Sequence, residues 1–534
     1  MAAIIANLDC KNGAAAAAAS TPGAFATDRC FFSRGSHTYR VPLGLHAANR
    51  AALLRRLAGH GAGVCLFVGG VASERNDTDH EELFRQESYF QYLFGVAEPG
   101  WFGTIEVPGG RATLFAPELG PEYAVWMGKI ATREELGARY GVEVRWTSEL
   151  GARCAAAPAT YVMRGVNSDS GVGIHQRLPP PACVANVSES DVGVPNALFL
   201  AAAESRVFKS ADEAALLRYA SWVTSNAHVA VMRALRPGKY EYQLEAEFLY
   251  HCASDGGCRN CAYTSICACG PNAAVLHYGH AGAPNARLLQ PGDLALLDMG
   301  AEYHCYCSDI TCTMPVDGVF TRDQKIVYEG VLNAQRAVYA IMGPGTSWTD
   351  CHLAAEREIL KALVTLGVLV GDLDAMVDAE VGGVFLPCGL GHFIGVDCHD
   401  VGGYLPQSPP RSNRPGLRKL RTARVLDVGM MLTVEPGCYF IDALLDPALS
   451  NPKTAKFFDA DRLRTFRGSG GVRLEDVILI AKDGLKNYTT CPRSVAEVEA
   501  VMAGGQWPPA KDDHPDLNRQ WAAFRDGALF DVAL

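Results

Sequence analysis

Leu294-Ala295-Leu296-Leu297-Asp298-Met299-Gly300 and Tyr306-Cys307-Ser308-Asp309-Ile310-Thr311 are apolar, strand-like runs, each interrupted by one internal carboxylate. An isolated Asp or Glu in such a run is costly unless it is paired or holds a cation. The anomaly recurs downstream. Glu435 ends Met431-Leu432-Thr433-Val434 and precedes Pro436-Gly437, while Glu475 separates Gly471-Val472-Arg473-Leu474 from Val477-Ile478-Leu479-Ile480. His392 closes Gly389-Leu390-Gly391-His392. Four carboxylates and one imidazole nearly neutralise two divalent cations, and a cation pair can activate water near neutral pH. Such an oxygen-rich set suits Mn²⁺, Co²⁺, Fe²⁺ or Zn²⁺ rather than a soft, thiolate-bound metal. Any one of these acids alone reads more readily as a surface or salt-bridged side chain. Their number and their even spread set them apart.

The segments around them repeat. Ser210-Ala211-Asp212-Glu213 has capping-box spacing and opens a helix that stops at Pro237-Gly238. A second helix, about 241–254, ends at Gly256-Gly257, and strands with Asp298 and Asp309 follow. Thr321-Arg322-Asp323-Gln324 then opens a helix ending at Gly343-Pro344-Gly345. Another, about 350–366, ends at Gly367, before strands with Glu435 and Glu475. This order predicts a pseudo-two-fold domain whose acids meet across an internal axis. Asp298 and Asp309 are expected to share one face of an antiparallel hairpin turning around Gly300-Ala301-Glu302.

The first third alternates helix-like and strand-like segments. A helix is predicted over 48–59, a strand over Gly63-Val64-Cys65-Leu66-Phe67-Val68, and a hairpin from Thr104–Val107 through Pro108-Gly109-Gly110 to Ala112–Phe115. This reads as a small α/β domain with a mixed sheet and no catalytic constellation of its own. The expected division is a disordered tail over 1–35, holding the Ala14–Ala19 run, an N-terminal α/β domain over 36–208, the pseudo-two-fold domain over 209–503 and an extension over 504–534.

A length of 534 residues calls for two large domains, and 49% hydrophobic with 20% charged residues describes a globular protein. A net charge of −10 argues against nucleic acid or an anionic membrane as the main partner. No apolar stretch approaches the roughly 20 residues of a spanning helix. The 18 cysteines read as reduced thiols of a cytoplasmic protein. Cys258 and Cys261, with Cys267 and Cys269 behind them, are too tightly spaced for a usual zinc ribbon.

A second layer is rich in His and Arg: His277-Tyr278-Gly279-His280, His399-Asp400, and Arg418 and Arg421 in Gly416-Leu417-Arg418-Lys419-Leu420-Arg421. Beside a metal site such residues point to oxyanion stabilisation and carboxylate binding.

Asp298-Met299-Gly300, Asp309-Ile310-Thr311, Gly389-Leu390-Gly391-His392-Phe393, Val434-Glu435-Pro436-Gly437 and Gly471-Val472-Arg473-Leu474-Glu475 resemble the motifs of the "pita-bread" metallopeptidases, family M24. Leu276–Pro284, Arg418–Arg424, Phe84-Arg85-Gln86-Glu87-Ser88 and Trp126-Met127-Gly128-Lys129-Ile130 are similar to its prolidase branch. The resemblance spans roughly 38–503. It implies a two-domain α/β fold with a C-terminal pita-bread domain and hydrolysis of Xaa-Pro dipeptides. It implies two divalent cations, usually Mn²⁺, on Asp298, Asp309, His392, Glu435 and Glu475, with Glu435 also the proton shuttle. His277 and His399 would steady substrate and oxyanion, Arg421 would hold the dipeptide carboxylate, and Tyr263 would line that pocket. A homodimer is implied as well.

The family pattern reads His-Gly-Leu-Gly-His where this chain has Cys388-Gly389-Leu390-Gly391-His392. A thiol cannot replace the imidazole's hydrogen bonds at the same reach. Two alternatives stand beside the dipeptidase: an aminopeptidase P-like enzyme acting on longer peptides, and, supported mainly by Cys388, a non-catalytic protein on the same fold.

Overall fold

The structure, a computed structural model, describes residues 31–174 and 196–534. Of the expected tail, residues 1–30 lie outside the described residues. The chain divides into two compact units meeting between Glu213 and Ala214, with Asp526–Ala528 belonging to the first.

The first unit is built on a five-stranded mixed sheet. Its strands are β1 (Gly63–Val68), β2 (Phe102–Val107), β3 (Ala112–Ala116), β4 (Glu143–Trp146) and β5 (Thr160–Val162), in the order β4-β3-β2-β1-β5. β1/β2 and β2/β3 are antiparallel, whereas β3/β4 and β1/β5 are parallel. Every residue of β1 is buried, which is why it reads as an unbroken apolar run. Leu66, Phe115 and Val162 pack against Leu150 and Cys154 on one face. The predicted hairpin is β2/β3, with Ile105 paired to Ala112. The predicted helix starts earlier, as α1 (Gly44–Arg56), and buries Leu45, Asn49 and Leu53 on one stripe.

In the second unit the helix–helix–strands order occurs twice. First come α2 (Ala211–Ala234), α3 (Glu241–Ser254), β6 (Ile266–Cys269), β7 (Leu294–Asp298), β8 (Ala301–Tyr303), β9 (Tyr306–Cys307) and β10 (Thr311–Pro315). Then come α4 (Arg322–Ile341), α5 (Trp348–Leu366), β11 (Met431–Val434), β12 (Gly437–Tyr439), β13 (Gly471–Arg473) and β14 (Asp476–Ala481). Both capping boxes form: Ser210 and Glu213 bond reciprocally, as do Thr321 and Gln324. Gly367, at φ +81°, ends α5 in the left-handed conformation that L side chains resist.

The strand registers place the acids. Asp298 pairs with Thr311, and beyond a central break Glu302 pairs with Cys307 and Tyr303 with Tyr306. The offset is unchanged across the break, so β7–β10 is one long hairpin in which Asp309 faces Gly300. Asp298, two residues from Gly300, shares the face of Asp309. A Cβ at Gly300 would lie 1.8 Å from the Ser308 carbonyl oxygen, so only glycine permits this approach. The turn is not at Gly300-Ala301-Glu302, as the glycine led one to expect, but at His304-Cys305, with φ of 48° and 64°. Two-residue hairpin turns need positive φ, which usually selects Asn or Gly. Here the buried Tyr303–Tyr306 pair imposes it.

The second half repeats the device. Val434 pairs with Asp476 and Gly437 with Arg473 at one common offset, and the Leu474 amide donates to the Pro436 carbonyl. Glu435 therefore stands directly opposite Glu475.

Candidate metal centre

Apolar strands carry the acids to a shared point. Asp298, Asp309 and Glu475 offer ligand atoms within 4.8 Å of one another, and so do His392, Glu435 and Glu475. The His392 Nδ1–H donates to the Phe393 carbonyl at 2.9 Å, which turns Nε2 toward the carboxylates. Nε2 lies 3.3 Å from Asp309 Oδ2, 3.5 Å from Glu435 Oε1 and 4.0 Å from Glu475 Oε1. The two hairpins are joined beneath this cluster, where the Glu475 amide donates to the Thr311 carbonyl at 3.1 Å. The His392 segment is joined to β11, the Thr433 amide donating to the His392 carbonyl at 2.9 Å.

Like charges so close cannot all ionise unaided. Burial, then the neighbouring acids, pushes Glu475 well above the usual carboxylate range. Burial raises Asp298 too, and moves Glu435 up to about 7. For Asp309, burial is outweighed by the His392 imidazole and the hydrogen bonds around it, and its carboxyl is held below the usual range. Glu475 Oε1, in a residue 1% exposed, has no hydrogen-bond partner among the described residues. An orphaned carboxylate oxygen facing other acids is what a cation site requires, and the residues present fit a pair of divalent cations.

A surrounding layer fixes the acids. Arg473 donates to Thr311 Oγ1 (3.0 Å), Tyr439 Oη (2.8 Å) and Asp298 Oδ2 (2.5 Å). The Thr311 hydroxyl donates to Glu475 Oε2 at 2.7 Å. The Thr433 hydroxyl accepts from the His392 amide at 3.1 Å and donates toward Glu435 Oε1 at 3.4 Å. These three were not singled out as functional in the sequence. Each lies two residues from an acid, and the two-residue period of a strand was the signal available. Tyr263 Oη lies 2.5 Å from Asp298 Oδ1 and 2.6 Å from Asp309 Oδ1. Its hydroxyl thus ties the two aspartates together, a role that the reading of Tyr263 as a pocket wall did not include.

His399 packs edge-on against His392, with centroids 4.4 Å apart. Desolvation, then the charges of His392 and Arg421, holds it below the usual imidazole range, and desolvation followed by Arg421 does the same to His277. Both rings therefore feel the Arg421 charge and are neutral near pH 7. Cys388 is half-buried against the cluster of Ile266, Leu296 and Tyr439, and burial, then Glu435, pushes its thiol up to about 12. Every cysteine among the described residues is free, and Cys258, Cys261, Cys267 and Cys269 do not gather into a metal-binding group.

Two antiparallel hairpins that bring four acids together beside His392 define a metallohydrolase of the pita-bread class. Residues 215–482 match Metallopeptidase family M24, and residues 46–161 match the Aminopeptidase P, N-terminal domain. Xaa-Pro dipeptidase of Homo sapiens is 47% identical over 480 residues, covering 89% of this chain and 96% of that protein. A probable Xaa-Pro aminopeptidase of Sordaria macrospora is 34% identical, covering 87% and 96%. Among solved structures, aminopeptidase PepP of Pseudomonas aeruginosa superposes with a TM-score of 0.70 at 33% identity, covering 88% of this chain and 99% of that one. The chain belongs to metallopeptidase family M24.

Proposed function

We propose that this protein is an Xaa-Pro dipeptidase: it hydrolyses dipeptides with C-terminal proline, using two divalent cations, Mn²⁺ in the native state. Asp298, Asp309, His392, Glu435 and Glu475 hold the cations, and the convergence of these five side chains is the observation that carries the reading. When bound, such cations supply Lewis acidity and water activation. The chain's own residues do the rest. Arg421 clamps the substrate carboxylate, a task its fork geometry suits. His277 and His399, neutral near pH 7, donate N–H bonds to the substrate and to the developing oxyanion. Glu435 takes the proton released by the attacking water and delivers it to the proline nitrogen, which carries no hydrogen in the peptide and must gain one to leave as an amine. Tyr263 and Arg473 hold Asp298 and Asp309 in place.

An aminopeptidase P-like activity is the second reading, because a probable Xaa-Pro aminopeptidase aligns over most of the chain. Arg421 favours the dipeptide, since a carboxylate clamp needs a substrate that ends at proline. A non-catalytic role is opposed by the full ligand set. The homodimer and the cytoplasmic location are part of the proposal; no helix among the described residues is long and apolar enough to cross a membrane. The test is proline release from Ala-Pro by the Mn²⁺-loaded protein, beside cleavage of Ala-Pro-Gly. No proline release defeats the proposal, and faster cleavage of the tripeptide turns it toward aminopeptidase P.

A further inference from the structure

Cys398 Sγ lies 2.9 Å from Asp309 Oδ2 and donates to it. Asp309, His392, Cys398 and His399 each offer one ligand atom, and all four atoms lie within 4.8 Å of one another. Asp309 and His392 are buried, Cys398 is half-buried and His399 is exposed, so the group opens to solvent on one side. An unpartnered carboxylate oxygen adjoins the group at His392: Glu475 Oε1, 4.0 Å from His392 Nε2, is buried without a hydrogen-bond partner among the described residues. This donor set differs in kind from the oxygen-rich one: two imidazoles, one carboxylate and one thiol.

We propose that Asp309, His392, Cys398 and His399 form a site for a thiophilic divalent cation, Zn²⁺ or Cd²⁺, that overlaps the cation-pair site and shuts it. Zinc takes four nitrogen, sulfur and oxygen ligands at about 2.0–2.3 Å, which puts ligand atoms on the order of 3.5 Å apart. The four donors reach that spacing by drawing in by about 1 Å, within the range of side-chain rotation. The thiol gives its proton to solvent as the metal–sulfur bond forms, so one proton leaves per cation bound. Hard Mn²⁺ gains little from sulfur, so Cys398 discriminates between metals. Catalytic zinc sites keep one position open for water, whereas a set of four protein ligands leaves none. Occupancy here also withdraws Asp309 and His392 from the pair and His399 from substrate. Only this inhibitory consequence rests on the dipeptidase reading; the ligation does not.

The experiment uses the full-length protein, stripped with a chelator and given one equivalent of Zn²⁺, with zinc X-ray absorption as the readout. Wild type is expected to show a sulfur neighbour at about 2.3 Å. Cys398→Val is expected to lose it, and Cys398→Ser serves if the valine variant does not fold. Cys388→Ser is expected to keep it. A wild-type spectrum with nitrogen and oxygen neighbours only overturns the site, as does a sulfur neighbour that survives the Cys398 change. Zinc affinity is expected to fall at least about tenfold in Cys398→Val while Mn²⁺ affinity moves far less; an equal loss of both overturns the discrimination. If the Mn²⁺ form never releases proline, the dipeptidase reading fails, yet the absorption result still decides the sulfur ligand.

Discussion

Glu435 and Glu475 face one another across a single antiparallel ladder, since the offset that pairs Val434 with Asp476 also pairs Gly437 with Arg473. Like charges directly opposite on a ladder are destabilising by roughly 0.2–1 kcal/mol even where water screens them. Here both side chains belong to a buried centre, so the opposition is tolerable only with protons or cations between them. Glu475→Gln is expected to leave the chelated protein as stable as wild type, or more so. It should also remove the rise in melting temperature expected of the proposed Mn²⁺ binding. That rise corresponds to about 2.7 kcal/mol at a hundredfold excess over the dissociation constant. Calorimetry with and without Mn²⁺ measures both effects, and a retained Mn²⁺ response would count against the ligand role.

Asp298 receives hydrogen bonds from Tyr263 and Arg473 and lies in the same cluster as Asp309 and Glu475. Asp298→Asn keeps the shape and removes the charge. The expected outcome is a large fall in bound metal, read by elemental analysis, together with loss of proline release.

Arg421 is proposed to grip the substrate carboxylate, and hydrogen bonds to charged groups contribute about 1.5–3 kcal/mol. Arg421→Ala should therefore raise KM for Ala-Pro by roughly tenfold to a hundredfold. Metal content should stay that of wild type, and a parallel loss of metal would remove the clamp from the account.

At Cys388 a thiol held at about 12 is neutral near pH 7 and a weak hydrogen-bond donor. Cys388→His is expected to raise kcat/KM on Ala-Pro if the thiol is a handicap. An unchanged value would show that the cleft has adapted to sulfur.

Burial lowers His46, in the first unit, to about 4, while its Nδ1–H donates to the Tyr92 carbonyl at 3.1 Å. The unfolded chain binds a proton at this residue below about 6.5, the folded chain only below about 4, so stability falls as pH drops through that window. The full loss is about 3 kcal/mol. Melting curves of wild type and His46→Gln between pH 7 and pH 4 should converge as the solution becomes more acidic. A pH-independent gap would contradict the buried neutral ring.

The acids were legible because a carboxylate closing an apolar run has few inexpensive explanations, and the repeat was legible because capping and breaking residues mark helix ends. What the chain did not disclose was register. Nothing local to Glu435 shows that it will face Glu475, since that depends on pairing residues on both sides. The His304-Cys305 turn was hidden for the same reason: tertiary pairing overrode the local preference for glycine at positive φ. Thr311, Thr433 and Arg473 look like ordinary strand residues until their partners are in place. The thiol of Cys398 gains meaning only beside Asp309.

The bond from the Glu475 amide to the Thr311 carbonyl, with the Thr311 hydroxyl on Glu475 Oε2, joins halves that carry different members of the proposed ligand set. The exposed turn at Asp317-Gly318 separates them in the chain. Cut there, the protein becomes two fragments, one bearing Asp298 and Asp309, the other His392, Glu435 and Glu475. Neither fragment alone holds the whole proposed cage, so the divalent cations would act as glue for split-protein reconstitution, and a chelator would take the reassembled whole apart.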